Sequence, residues 1–192
     1  NPNLTMDFIE KHPDEKHSYE PWDWNEISAN PNITMDIIEN NPDKPWVWWC
    51  ISRNPNLTMN FIEKFPDEKH PDEPWFWHYI SKNPNITLDF IENNIDHPWK
   101  WEKSVSKNPN LTIDFIEKHS DKEWEWWYIS KHPNITLDII ENNPDIPWEW
   151  KYISENPNLT TDFIEKHPYE HWDWVSIYEN PNIDFVKKNL DK

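Results

Sequence analysis

The apolar residues of this chain recur with a fixed period instead of gathering in one or two long stretches. In a typical segment, residues 30–53, a short group of Ile and Met is followed by a polar, proline-containing stretch and then by two tryptophans and an isoleucine. The first group begins after Thr34, a residue type favoured as the N-cap of a helix. It predicts a helix of about two turns that ends at Pro42, because proline disrupts a helix interior.

The second group predicts a second short helix. Pro45 fits its first position, where no amide hydrogen bond is lost. The predicted helix carries Trp46 and Trp48, which lie two residues apart and would point to nearly opposite sides of it. A helix that is apolar on both sides must be enclosed, so we expect one Trp to pack within its own repeat and the other against the next.

The motif Asn-Pro-Asn marks the start of every repeat. The starts are Asn1, Asn30, Asn54, Asn83, Asn108, His132 (where His replaces the first Asn), Asn156 and Asn180. Successive starts are 24 residues apart, except for 29 after the first and third and 25 after the fourth. This period predicts an all-α fold, namely an α-solenoid of short antiparallel helix pairs with seven repeats and a partial C-terminal cap, forming a single domain over residues 1–192.

Two five-residue insertions account for the longer repeats. They fall near Glu15–Tyr19 and Glu68–Asp72, between the two helices, and we expect both to lie on the same edge of the stack. The last unit, which starts at Asn180, is predicted to be the partial cap, because a Lys-ended segment replaces the usual first helix after Asn182.

The composition bears first on whether the chain is ordered. The chain has no Gly, 19 Pro, 16 Trp and a net charge of −18, and a charged chain of low hydrophobicity is often disordered. Each Trp, however, brings a large area to bury, which favours an ordered, acidic protein with an indole-rich core. The charge argues against nucleic acid and anionic membranes as partners, and no apolar run is long enough to cross a bilayer. A single cysteine, Cys50, fits a reducing, intracellular compartment.

The repeat unit has a distinctive consensus, Asn-Pro-Asn-(Ile/Leu)-Thr-x-Asp-x-Ile-Glu-x-x-Pro-Asp-x-Pro-Trp-x-Trp-x-x-Ile-Ser. It is carried by Asn30–Ile33, Pro42–Trp48 and Ile51–Ser52 and their counterparts, and it resembles uncharacterised repeat proteins of giant DNA viruses of the mimivirus kind. The resemblance covers nearly the whole chain and implies a viral gene, a helical-repeat fold and a place in the host cytoplasm or the virion. That family has no assigned activity, so no mechanism follows. The fifth repeat departs from the pattern at Ser120, which replaces the turn proline.

Seven Asn-x-Thr sequons recur at the predicted helix starts. They begin at Asn3, Asn32, Asn56, Asn85, Asn110, Asn134 and Asn158. As glycosylation acceptors they would indicate a secreted glycoprotein. As structural elements they combine a turn with a Thr cap, and this interpretation explains why they recur in every full repeat.

Acidic residues and histidines also recur at fixed repeat positions. Stacked Asp and Glu could hold Ca²⁺ or a basic partner, or they could serve the helix dipole and pair with the Lys that follows Glu in four repeats. The histidines His12, His119 and His167 could bind zinc, or they could simply end the first helix. We favour the structural interpretation in each case and expect no metal and no cofactor.

Some aromatic residues vary between repeats. They are Trp49, Phe76, Tyr79, Trp127, Tyr128 and Tyr152, at second-helix positions where other repeats carry polar side chains. A repeat protein presents its partner-binding surface at positions of this kind, although the same rings could be filler between repeats.

Catalysis is not expected, because an active site needs a unique constellation and every conspicuous residue here is repeated. Loops that cradle phosphate and the Gly-x-Ser-x-Gly elbow both need glycine. The leading hypothesis is therefore a non-enzymatic protein–protein interaction scaffold. The alternatives are a self-assembling structural or virion component, an acidic nucleic-acid mimic and a secreted glycoprotein.

Overall fold

A computed structural model describes residues 4–12, 22–66 and 75–183. Over these ranges the chain is all-helical, with thirteen α-helices, one 3-10 helix and no strand. The chain divides into two compact units, Asn1–Lys100 and Trp101–Lys192. Both predicted insertions, Glu15–Tyr19 and Glu68–Asp72, and the predicted cap beyond Ile183 lie outside the described residues.

Each unit is a stack of repeats, and each repeat has a first and a second helix. The helices of the first unit are α1 (Met6–Lys11), α2 (Trp24–Ser28), α3 (Met35–Asn40), α4 (Trp48–Ile51), α5 (Met59–Lys64), α6 (Trp77–Ile80) and α7 (Leu88–Asn93). Those of the second unit are the 3-10 helix Val105–Lys107, α8 (Ile113–Lys118), α9 (Trp126–Ser130), α10 (Leu137–Asn142), α11 (Trp150–Ile153), α12 (Thr161–Lys166) and α13 (Trp174–Glu179). The all-α solenoid architecture predicted from the repeat period is confirmed.

The first helix of each repeat begins as the sequence predicts. The Thr34 side chain accepts a hydrogen bond from the amide of Ile37, which satisfies one of the free N–H groups at the start of α3. Asp36 lies in the first turn, where its charge meets the positive end of the helix dipole. The same Thr cap begins α1, α5, α7, α8, α10 and α12. Six residues form each of these helices, so packing against neighbouring repeats must stabilise them.

The second helix begins later than predicted. It starts at Trp48, so the expectation that Pro45 occupies its first position and that Trp46 belongs to it was wrong. The amide of Trp46 donates to the carbonyl of Lys44 at 2.8 Å, which closes a three-residue turn around Pro45. The next amide, that of Val47, donates to the Ser28 hydroxyl of the preceding repeat at 3.0 Å. These two bonds hold the segment before α4 extended.

That amide-to-serine bond recurs at the repeat boundaries. The acceptor serine is fully buried and is either the last residue or the C-cap of the second helix of the preceding repeat, except for Ser106, which lies within the 3-10 helix. The bonds are Ser28–Val47, Ser52–Phe76, Ser81–Lys100, Ser106–Glu125, Ser130–Glu149 and Ser154–Asp173. The extra residue of the fourth repeat leaves it intact, because the 3-10 helix absorbs the insertion and the Ser106 hydroxyl still reaches the Trp101 carbonyl at 3.0 Å.

The two tryptophans of a repeat have different partners, as predicted. The indole N–H of Trp46 donates to the carbonyl of Asn41 in its own repeat at 2.7 Å. The ring of Trp48 instead contacts Phe61 and Trp75 of the next repeat, with centroids 6.1 and 5.1 Å away. Edge-to-face Trp pairs of this kind cross six repeat boundaries, three in each unit: Trp24–Trp46, Trp48–Trp75, Trp77–Trp99, Trp101–Trp124, Trp126–Trp148 and Trp150–Trp172.

The Asn-Pro-Asn motif forms a second ladder of contacts. Asn54 is fully buried, and its side-chain oxygen accepts from the amide of Asn56 at 2.8 Å. Its side-chain nitrogen donates to the carbonyls of Asn30 and Ile33 in the preceding repeat, and to that of Ser28 at the end of the repeat before it, at 2.9 to 3.2 Å. One asparagine therefore both closes its own turn and fixes the repeat to its neighbour.

Histidine and glutamate serve packing at repeat boundaries. His119 and His167 cap the ends of α8 and α12 as predicted, and His167 also lies against the rings of Phe163 and Trp150, at 4.5 and 5.2 Å. The recurring glutamate makes ion pairs that the sequence did not indicate, between Glu39 and Lys64 and between Glu141 and Lys166, in each case with the next repeat.

Candidate partner-binding surface

The variable aromatic residues lie beside positions that the repeat framework buries. The Ile (Val in the fourth repeat) and Ser near the end of the second helix are buried in the first six repeats, as Ile51 and Ser52 show. Residues one or two places after the second Trp lie at the outer margin of the helix in most repeats, although Cys50 at the second of these places is buried. Trp49 and Trp127 follow that Trp directly, and the tyrosines follow one place later: Tyr79, Tyr128 and Tyr152. Phe76, between the two tryptophans of its repeat, is half exposed.

In the first unit, the structure brings three of the six predicted residues together around two cations. Arg53 lies between two rings from successive repeats, with its guanidinium carbon 5.4 Å from the centroid of Trp49 and 5.8 Å from that of Tyr79. Lys82 places its ammonium nitrogen 4.9 Å from the Tyr79 centroid. Phe76 stacks on the same tyrosine at 5.8 Å. We call these five residues the first cluster.

In the second unit, the other three predicted residues form an equivalent group. Trp127 stacks on Tyr128 with centroids 3.5 Å apart and lies 5.4 Å from Tyr152 of the next repeat. The Lys107 ammonium lies 3.8 Å from the centroid of Tyr128. That of Lys131 lies within 5.6 Å of all three rings. These five residues are the second cluster.

The cations of both clusters were not predicted from the sequence. They occupy one repeat position, the residue before Asn-Pro, which in successive repeats is Ala29, Arg53, Lys82, Lys107, Lys131, Glu155 and Glu179. An alignment of the repeats shows that this position varies in charge and is basic four times in an acidic chain. A charged residue at a variable position neither recurs nor stands out as an aromatic ring does, so the sequence gives no direct signal for these cations.

A groove adjoins the first cluster. It has a volume of about 340 Å³ and is lined by Arg53, Pro55, Tyr79, Lys82, Asn83 and Pro84. The equivalent groove in the last described repeat has a volume of about 430 Å³ and is lined by Glu155, Pro157, Ser176, Glu179, Asn180, Pro181 and Asn182. The Asn and Pro residues match, whereas Glu155, Ser176 and Glu179 replace Arg53, Tyr79 and Lys82. Two grooves of the same build thus carry opposite charge.

The sequon asparagines have a structural role in the folded repeats. The side-chain nitrogen of Asn158, the atom to which a glycan would attach, donates to the carbonyls of Pro133 and Ile135 at 2.8 and 3.0 Å. Equivalent bonds to the preceding repeat are made by Asn32, Asn56, Asn85 and Asn134. A glycan would replace a hydrogen that donates in this ladder, so the geometry supports the structural interpretation of the motif.

The described residues offer no other obvious chemistry. They contain no group of three or more His, Cys, Asp or Glu placed to hold a metal ion. None of the described helices is long and apolar enough to cross a membrane. Comparison with known proteins found no matching family model, no matching curated protein and no matching solved structure.

Proposed function

We propose that this chain is a non-enzymatic scaffold that binds a protein partner through the two aromatic–cationic clusters. The observation that carries the proposal is the convergence of all six variable aromatic residues with four cations at one repeat position. Trp, Tyr and Arg are the residue types most enriched at the energetic centres of protein–protein interfaces. Partly exposed rings held by neighbouring side chains also lose little freedom on binding.

The recurring residues support the proposal because they already make the contacts that hold the repeats together. The paired Trp rings, the buried Ser and the Asn-Pro-Asn turns make contacts at the repeat boundaries, and these contacts account for the stacking of the repeats. Positions that the framework does not use are then the ones available for recognition. An intracellular, virus-encoded protein, as expected from the single cysteine of the chain and from the sequence resemblance, is part of the same proposal.

The test compares proteins captured by the wild-type chain with those captured by two cluster variants, Trp49→Ala/Tyr79→Ala and Trp127→Ala/Tyr152→Ala. The matched control is Tyr169→Ala, which removes a ring that is 96% exposed and lies outside both clusters. We expect a specific partner to be retained by the control and lost by at least one cluster variant, with thermal melting showing that all variants fold. Retention of every captured protein by both variants would overturn the proposal. Recovery of the chain alone, with concentration-dependent light scattering, would favour a self-assembling component.

A further inference from the structure

We propose that the groove of the first cluster is a carboxylate-binding site that receives an Asp or Glu side chain from an acidic segment of the partner. The proposal rests on the proposed function and adds the chemistry of the ligand. The site consists of Arg53, Tyr79 and Lys82, within the first unit.

The two cations of the site contact aromatic rings and no carboxylate of the described residues. The chain has 36 acidic residues against 18 Lys and Arg, so carboxylates outnumber these cations two to one. Lys64 and Lys166 do pair with a glutamate of the preceding repeat. Among the described residues, Arg53 and Lys82 make no ion pair and lie on aromatic rings instead. Two neighbouring cations that a strongly acidic chain leaves without a carboxylate are suited to receive one from another molecule.

The geometry around the Arg53 guanidinium suits a carboxylate ligand. Arg53 is exposed and is flanked by Trp49 and Tyr79, which belong to successive repeats. A guanidinium that packs against rings keeps its N–H edge available for a two-point hydrogen bond to a carboxylate. Lys82 adds a second charge beside Tyr79, and the adjoining groove of about 340 Å³ has room for a carboxylate-bearing side chain.

The second unit contains an equivalent groove of opposite charge. It keeps the Asn and Pro of the repeat framework but carries Glu155, Ser176 and Glu179 where the first groove carries its three ligand-binding residues. The framework therefore does not dictate a basic groove. Three variable residues set its charge, and the chain contains its own matched control.

The density of charge favours an acidic protein segment over nucleic acid. Duplex DNA carries about one negative charge per 1.7 Å of its axis and is bound by neutralising many phosphates. The first groove offers two cations, on a chain whose net charge is −18. A short segment with one or two carboxylates can use this site without bringing a long polyanion against an acidic surface.

The experiment measures fluorescence anisotropy of three labelled probes at low salt: an alternating Glu/Ser peptide, its Lys/Ser counterpart and a single-stranded oligothymidine. We expect the intact chain to bind the acidic peptide and not the oligothymidine. The Lys/Ser peptide is attracted to the net negative charge of the whole chain, so substitutions of Arg53 and Lys82 should not weaken its binding. Arg53→Glu/Lys82→Glu should weaken that binding by about tenfold or more, and the neutral pair Arg53→Gln/Lys82→Gln should give an intermediate loss. The control Lys103→Glu/Lys118→Glu makes the same change in net charge at exposed lysines outside the clusters and should have little effect.

A gain of binding completes the test. Glu155→Arg/Ser176→Tyr/Glu179→Lys converts the acidic groove and should add a second equivalent of bound acidic peptide. Absence of acidic-peptide binding, or equal loss in the Lys103/Lys118 control, would overturn the carboxylate site. Binding of oligothymidine in its place would assign the groove to nucleic acid and overturn it as well. If the aromatic variants still lose a captured partner in those cases, the scaffold function stands without the carboxylate site.

Discussion

His132 hydrogen-bonds to the backbone carbonyl of Asn108 through its Nε2 atom, 3.1 Å away, in the place that an asparagine side chain takes in other repeats. Its other ring nitrogen, Nδ1, accepts from the amide of Asn134 at 3.2 Å. Because an amide N–H can only donate, Nδ1 must be unprotonated and Nε2 must carry the hydrogen. The neutral ring thus reproduces both the acceptor and the donor of the asparagine.

This relationship predicts a pH dependence of stability. Burial lowers the pKa of His132 below its ordinary value of 6.5, and the bond to the Asn108 carbonyl opposes that effect only in part. Above pH 6.5 both the folded and the unfolded states are neutral at this residue. As the pH falls below 6.5 the unfolded state takes up a proton first, so stability is lost until the lower folded pKa is reached.

We therefore expect His132→Asn to remove this loss. Urea unfolding of the wild type and the variant at pH 7.5 and 5.5 should show a stability difference that grows in favour of the variant at the lower pH. One group can contribute at most about 1.4 kcal/mol per pH unit. A difference that is the same at both pH values would show that His132 titrates alike in the two states.

The buried asparagine ladder predicts that two substitutions of Asn54 lower the free energy of unfolding by different amounts. Asn54→Ala leaves carbonyls of the preceding repeat without their donor and should lower the free energy of unfolding by about 2 kcal/mol or more. Asn54→Asp keeps an acceptor but places negative oxygen against those carbonyls, so it should cost more. Urea denaturation measures both, with the exposed Asn40→Ala as a control expected within about 0.5 kcal/mol of the wild type. Equal losses at positions 40 and 54 would contradict the ladder.

Replacing each of the two tryptophans of one repeat by phenylalanine should lower the stability of the fold by different amounts. The indole N–H of Trp148 donates to the Asn143 carbonyl at 2.8 Å, whereas Trp150 contributes its ring to Phe163 and Trp172. Phenylalanine keeps an aromatic ring and removes the donor. Trp148→Phe should therefore cost about 1 kcal/mol more than Trp150→Phe in chemical denaturation, since the area lost is similar in the two variants. Equal costs would mean that the hydrogen bond contributes nothing to stability.

Cys50 offers a measure of local opening in the first unit. Its side chain is buried, with 1% of its area exposed, so we expect its reaction with a thiol reagent to be slow in native buffer and fast in urea. Ser28→Ala removes the acceptor for the amide of Val47, three residues before the cysteine, and should raise the labelling rate by about tenfold. Ser176→Ala, a hydroxyl loss near the other end of the chain, should leave the rate nearly unchanged. Rapid labelling of the unperturbed chain would show that this repeat is open.

The fold was largely predictable because the same local signals, such as the capping Thr, recur in every full repeat. Thr34 and its counterparts were identified as caps from one position in an alignment of the chain with itself, and the structure places each described one at a helix start. The start of the second helix was not predictable in the same way. Proline suits both the first position of a helix and the centre of a tight turn, and the bond from Val47 to Ser28 decides between them. That bond joins residues 19 positions apart, and no local rule contains it.

The candidate surface was only half predictable. Aromatic residues at variable positions stand out in the sequence, and the six that were named form the two clusters. The Lys and Arg residues of the two clusters were not predicted, because a single cation beside an Asn-Pro turn is not distinguishable in the sequence from an ordinary solvated side chain. The contact of Arg53 with both Trp49 and Tyr79 depends on the stacking of two repeats, and this stacking is known only once the framework is built.

The hydrogen bond from the first Trp to the end of the first helix spans very different lengths of chain. Trp46 and Asn41 are five residues apart, whereas the equivalent Trp75 and Phe65 are ten residues apart, and both bonds measure 2.7 Å. The bond fixes the distance between the two ends of the segment, whether they are five or ten residues apart. The entropic cost of closing a loop grows only slowly with added residues. Insertions and deletions can therefore accumulate there over generations without altering the register of the stack. The same site is a natural place to graft a foreign epitope, and such grafts could be varied independently in several repeats of one molecule.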